Sequence, residues 1–143
     1  MIIKKLSIEE IPDLIKLYDE IVPKYVKNEV NTLQEKYKEI IDNDDYIILV
    51  AKEDKIIGTA MGICCKILAF SGKNFLVIED VSVANDWKGK GVGRKLFEAL
   101  DTFALDKNCG YSVLVSSKFR VGAHAFYEKM GYIDEVKGFR KIY

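Results

Sequence analysis

Val77-Ile-Glu-Asp-Val-Ser-Val83, Ala84-Asn-Asp-Trp-Lys88 and Gly89-Lys-Gly-Val-Gly-Arg-Lys-Leu96 follow one another without a break. The first run is apolar and β-branched, as a strand is. Beyond the glycines, Leu96, Phe97, Leu100, Phe103 and Ala104 recur at three- and four-residue intervals, which predicts a helix with one buried face. A strand therefore feeds a glycine turn that opens a helix. Such a turn presents several main-chain N–H groups to an anion. Gly89, Gly91 and Gly93 remove side chains where phosphate oxygens must approach the backbone, and Lys88, Lys90 and Arg94 add positive charge. The arrangement suits a diphosphate.

Spacing sets two other phosphate loops aside. The dinucleotide fingerprint needs Gly-x-Gly-x-x-Gly, whereas the order here is Gly-x-Gly-x-Gly and the preceding strand carries Glu79 and Asp80. The triphosphate loop ends in Gly-Lys-Ser/Thr, and here Gly93 is followed by Arg94 and Lys95.

Lys88-Gly-Lys-Gly91-Val-Gly93 resembles the acyl-CoA-binding motif of the GNAT family of N-acetyltransferases, usually written Gln/Arg-x-x-Gly-x-Gly/Ala, with Lys88 departing at the first position. A second segment, Arg120-Val-Gly-Ala123-His124-Ala-Phe126-Tyr127-Glu128-Lys-Met-Gly131-Tyr132, resembles the family's late helix, with its Phe-Tyr-Glu-x-x-Gly-Phe/Tyr run. One glycine loop is weak evidence; two motifs in order, with a helix and the strand 110–116 between them, are specific. The resemblance covers the chain from about Phe75 onward, and the first seventy residues match in element order alone.

The resemblance implies that Gly89, Lys90, Gly91, Val92, Gly93 and Arg94 hold the pyrophosphate of acetyl-CoA through their main chain, together with Lys88. It also implies that the strand 77–83, through Val81 and Val83, hydrogen-bonds the pantetheine arm. Arg120 either reaches the phosphates or faces solvent. Tyr127 is expected beside the sulfur, supplying a proton to the departing thiolate.

The acceptor's chemistry points to a base. A primary amine with a pKa of about 10.4 is almost wholly protonated at neutral pH, so a group must take its proton, and Glu79 is the first candidate, directly or through a water. Successive strand residues face opposite ways, so Glu79 and Asp80 serve one face only if a bulge intervenes. By alternation Glu79 shares its face with Val77, Val81 and Val83. His124 lies one turn before Tyr127, and a structural role is preferred for it. Tyr18 and Tyr25, with Asp19 and Glu29, are candidates to hold a cationic acceptor.

The bulk numbers agree. The 143 residues fall within the range of one domain, about 100–200, so a single domain over 1–143 is expected. Apolar and charged fractions of 49% and 31% fit a globular protein. With 22 basic and 22 acidic residues, no net field draws the chain to nucleic acid or anionic lipid. No run approaches the roughly 20 apolar residues of a membrane span, and Met1-Ile-Ile-Lys-Lys lacks a signal-peptide plan, so a cytoplasmic protein is expected. Cys64, Cys65 and Cys109 have no metal-ligand spacing; no metal is expected, and the thiols read as small hydrophobes.

From the N-terminus, Ile2 to Leu6 reads as a strand. Capping boxes at Ser7/Glu10 and Thr32/Glu35 open two helices, separated at Pro23, the second running to about Asn43 and Asp44. Strands follow at 46–51 and 56–70, and the chain closes with a hairpin of Tyr132 to Val136 and Phe139 to Tyr143. The expected class is α/β, a mixed, mostly antiparallel twisted sheet flanked by helices in the order β-α-α-β-β-β-α-β-α-β-β. The reading is an acetyl-CoA-dependent transfer to the primary amine of a small molecule without an acyl-enzyme. A peptide or protein acetyltransferase, and an acyl-CoA-binding module without catalysis, stay open. The family admits homodimers; no residue here specifies an interface.

Overall fold

Alternating residues of the two longest antiparallel strands face two different helical layers, and this places everything that follows. The computed structural model describes residues 1–21 and 27–143. Its contacts divide the chain into two units, residues 1–113 and 114–143.

The first unit is built on strands β1 (Ile2–Lys5), β2 (Tyr46–Lys52), β3 (Ile56–Cys65), β4 (Asn74–Val83) and β5 (Cys109–Leu114), in the spatial order β1-β2-β3-β4-β5. The first four pair antiparallel. Helix α1 (Ile11–Ile21) follows a short 3₁₀ turn, Ile8–Glu10, whose entry is closed by the expected capping box: Ser7 N–H donates to the Glu10 carboxylate at 3.1 Å. Ile11, Leu14, Ile15 and Leu17 are its buried stripe, and with Leu6, Tyr37, Val50, Ile56 and Ala84 they form one core cluster.

Helix α2 (Val30–Ile41) starts earlier than the box at Thr32 predicts, because the Glu29 carbonyl already accepts the Leu33 N–H at 3.0 Å; it also stops earlier, with Asp42 as its C-cap. Strand β3 stops at Cys65 rather than Phe70, since a 3₁₀ turn at Phe70–Gly72, with Phe70 and Ser71 at positive φ, reverses the chain.

The opposite face of the sheet carries α3 (Val92–Asp106), which buries Val92, Leu96, Phe97, Leu100 and Ala104. Two strand glycines set its depth: a Cβ on Gly58 would stand 2.7 Å from Val92 Cγ1, and one on Gly62 would stand 2.9 Å from Leu100 Cδ2. Val50, paired with Thr59, faces α1 and α2, while Ala51, paired with Gly58, faces α3. Burying each such Leu or Phe contributes about 1.5–3 kcal/mol, so both layers are firmly seated.

The cysteines are free thiols, Cys64 buried and the other two half-buried. Burial, and then the adjacent Cys64, push the Cys109 thiol up to about 11, which suits a packing role and not a nucleophile.

The second unit holds α4 (Val121–Lys129). The hairpin expected over 132–143 is not formed, and no strand occurs there. The apolar residues Ile133, Val136, Phe139 and Ile142 recur every third position, so they never collect on one face of a strand, whose period is two; all four are exposed.

Candidate functional site

The glycine segment adopts the conformations that only glycine reaches cheaply. After a 3₁₀ turn at Asn85–Trp87, Gly89 has φ 75° and Gly91 has φ 82°, and a Cβ added at either would meet nothing within 4 Å. These glycines are required by the backbone and not by crowding in the protein itself. Gly91 is the N-cap of α3, and the first helical bond runs from Lys95 N–H to the Gly91 carbonyl at 3.1 Å. The N–H groups of Val92, Gly93 and Arg94 thus precede the ladder and are available to an acceptor from outside the helix. The Val92 side chain is buried beneath the turn, so what it offers a ligand is its main chain.

The cations of the loop are exposed. Lys88 Nζ donates to Asn85 Oδ1 at 2.5 Å, and Lys90 Nζ stands 5.3 Å from the Trp87 ring centroid. Lys88 therefore braces the turn from within. Residues 88–94 fit a diphosphate through the N–H groups at the head of a 15-residue helix and three basic side chains.

Just upstream, β4 carries a bulge. Met61 pairs with Glu79 and Thr59 pairs with Ser82, so Ala60 on β3 faces both Asp80 and Val81 on β4, and Asp80 takes φ 51°. The register corrects the simple alternation. Glu79, paired with Met61, shares the α1 face with Val77, while Val83, paired with Gly58, lies on the α3 face, and Val81 with it. The bulge turns Asp80 back toward α1, where the half-buried Tyr18 hydroxyl donates to its carboxyl. Consecutive acidic residues so reach one face. Desolvation pushes the Asp80 carboxyl above its ordinary range, against the Tyr18 hydrogen bond; desolvation and then the Asp80 charge push the Tyr18 hydroxyl up as well.

Helix α1 also grips the glycine segment, for Glu20 accepts a hydrogen bond from the Asn85 N–H at 2.6 Å. Alternation and motif spacing do not expose Glu20, Tyr18's partner, or the role of Gly58 beneath Val92. A signal existed only for Asp80: aspartate is among the few residue types that tolerate positive φ. Asp19 and Glu29 are exposed, and Tyr25 lies outside the described residues.

Within residues 114–143, Arg120 is the exposed N-cap of α4 and Tyr127 is buried on that helix at 7% exposure. The Tyr127 ring lies 5.6 Å from that of Phe126 and 6.3 Å from that of Tyr132, whose N–H donates to the Tyr127 carbonyl at 3.0 Å. His124 is half-buried, its Nε2 3.0 Å from the Ser117 carbonyl, a contact that holds the turn before the helix.

The profile of the acetyltransferase (GNAT) family matches residues 11–132. No curated protein matches the chain. Among solved structures the chain is similar to a putative acetyltransferase from Agrobacterium tumefaciens str. C58, with 22% identity over 100% of both chains and a TM-score of 0.92. It is similar to glucosamine-6-phosphate N-acetyltransferase from Arabidopsis thaliana, with 26% identity over 99% of this chain and 97% of that one and a TM-score of 0.88. An aminoglycoside acetyltransferase from an uncultured soil metagenomic sample, in complex with sisomicin, shares 21% identity over 99% and 95% of the two chains at a TM-score of 0.80.

Proposed function

We propose that this chain, which belongs to the acetyltransferase (GNAT) family, moves the acetyl group of acetyl-CoA directly to a primary amine of a small molecule. The observation that carries this reading is the pairing, along one continuous segment, of a glycine turn at the head of α3 with carboxylates on the α1 face of β4. Two of the similar structures are named for small-molecule acceptors, glucosamine 6-phosphate and aminoglycosides, which favours such an amine over a peptide.

Bound acetyl-CoA supplies a thioester whose carbonyl carbon is the electrophile. The N–H groups of residues 89–94, with Lys88 and Arg94, hold its pyrophosphate, Arg120 adds a cation for the phosphates, and the main chain of Val81 to Val83 binds the pantetheine arm and polarises the carbonyl. Glu79 takes a proton from the ammonium group, directly or through a water, freeing the lone pair for attack. As the carbon–nitrogen bond forms and the carbon–sulfur bond breaks, the Tyr127 hydroxyl protonates sulfur. A phenol of about 10 facing a thiol of about 8.5 need only strengthen its hydrogen bond as charge grows on sulfur. Residues 1–143 act as one domain in this scheme, with the cytoplasm as its compartment.

A panel of amino sugars, aminoglycosides, polyamines and N-terminal peptides, assayed for acetylated product by mass spectrometry, tests the acceptor class. Acetylation of small amines with peptides untouched is expected. Acetylation of peptides alone would overturn the assignment.

A further inference from the structure

Two carboxylates of this protein are withdrawn from water and resolved in opposite ways. Burial alone would raise the Glu10 carboxyl, but hydrogen bonds from Lys4, Lys52 and the Ser7 N–H outweigh it and hold the group at about 2. Asp80 has no such cation. Its carboxyl is desolvated and receives only the neutral Tyr18 hydroxyl, and among the described residues no lysine, arginine or histidine pairs with it. A charge taken from water without a counterion is costly, and a cation arriving there recovers that cost.

The backbone holds the group in this position. Of the four non-glycine residues with positive φ among the described residues, Phe70, Ser71, Asp80 and Asn108, only Asp80 lies inside a strand. The strain of that conformation is accepted where it aims a side chain, and here it aims the carboxyl at the α1 face beside Glu79. Tyr18 meets it there from the last turns of α1, the helix whose Glu20 also ties down the turn leading into the glycine segment.

We propose that Asp80 and Tyr18 form the subsite for the acceptor's ammonium group: the Asp80 carboxylate accepts its N–H hydrogen bonds, and the Tyr18 hydroxyl positions that carboxylate. The inference rests on the amine-acceptor reading above and adds the residue that recognises the charge before Glu79 takes the proton. The ligand class is a primary ammonium, which offers three N–H donors; a quaternary ammonium offers none.

The intact protein tests this without turnover. Methylammonium chloride, titrated while the Asp80 side-chain carboxyl resonance is followed by NMR, is expected to shift that resonance saturably. Tetramethylammonium chloride at equal concentration is expected to leave it in place, and Tyr18→Phe to weaken the methylammonium response about threefold or more. Equal responses to the two salts, or none to methylammonium, would overturn the subsite. In kinetics, Asp80→Asn keeps a side chain that tolerates positive φ, and should raise the KM of whichever primary amine is acetylated by about tenfold or more while leaving that of acetyl-CoA unchanged. An unchanged amine KM contradicts the proposal. If no amine is acetylated at all, the transfer reading fails, and the methylammonium titration still decides the subsite.

Discussion

The Glu20 carboxylate accepts a hydrogen bond from the main-chain N–H of Asn85 at 2.6 Å, joining the last turn of α1 to the residue that starts the descent into the glycine segment, 65 positions later in the chain. Two residues earlier on the same helix, Tyr18 reaches the β4 bulge. One helix thereby braces both the strand of the acidic residues and the turn that meets the anion. Glu20→Ala removes the brace at an exposed position, so it should leave the fold intact and weaken acetyl-CoA binding by about two- to fivefold. Calorimetric titration beside a thermal melt checks this; unchanged affinity would mean the turn holds itself.

Gly91 has φ 82° with open space around it, so a substitution there acts through backbone strain alone. An L-residue in this region costs about 1–2 kcal/mol, and a β-branched one more, while asparagine tolerates it. Gly91→Val should therefore lower acetyl-CoA affinity by tenfold or more, and Gly91→Asn by much less. Retained micromolar affinity in Gly91→Val would remove the loop assignment.

Tyr127 is buried on α4 between the rings of Phe126 and Tyr132. Phenylalanine keeps that packing and deletes only the hydroxyl, so Tyr127→Phe should reduce kcat by at least about tenfold with acetyl-CoA affinity nearly unchanged. Equal turnover by the variant would exclude this residue as the acid.

How far the site could be read from the residues depends on what kind of signal each element leaves. The glycine turn, α3 and α4 were legible because conformational necessity and helical periodicity both mark the sequence: Gly91 can be little else at φ 82°, and Leu96, Phe97 and Leu100 fall on one face. The bulge was not legible. A two-against-one register is decided by pairing with β3, which leaves Asp80 looking like any alternating strand residue and moves Val81 and Val83 to the face opposite Glu79. The Glu20–Asn85 and Tyr18–Asp80 contacts join positions far apart in sequence, and nothing local announces them. The closing hairpin was misread because a three-residue repeat of apolar residues was taken for the two-residue repeat of a strand.

Glu10 links the fold to pH. Its carboxyl is held at about 2, below its ordinary 4.5, because Lys4, Lys52 and the Ser7 N–H favour the charged form despite burial. A group depressed in the folded state contributes stability that is fully present above the unfolded value and is lost as pH falls through the folded one. Urea unfolding of the protein should thus weaken progressively from about pH 4.5 toward pH 2. Glu10→Gln should be less stable at neutral pH and lose part of that acid dependence. An identical acid slope in the variant would show that other carboxylates set it.

Initial rates of thiol release from acetyl-CoA, with acetyl-CoA and a small primary amine varied against each other, test direct transfer most closely. The account predicts release that requires the amine and double-reciprocal lines that intersect, as attack within a ternary complex demands. Parallel lines, or thiol release indifferent to the amine, would contradict it.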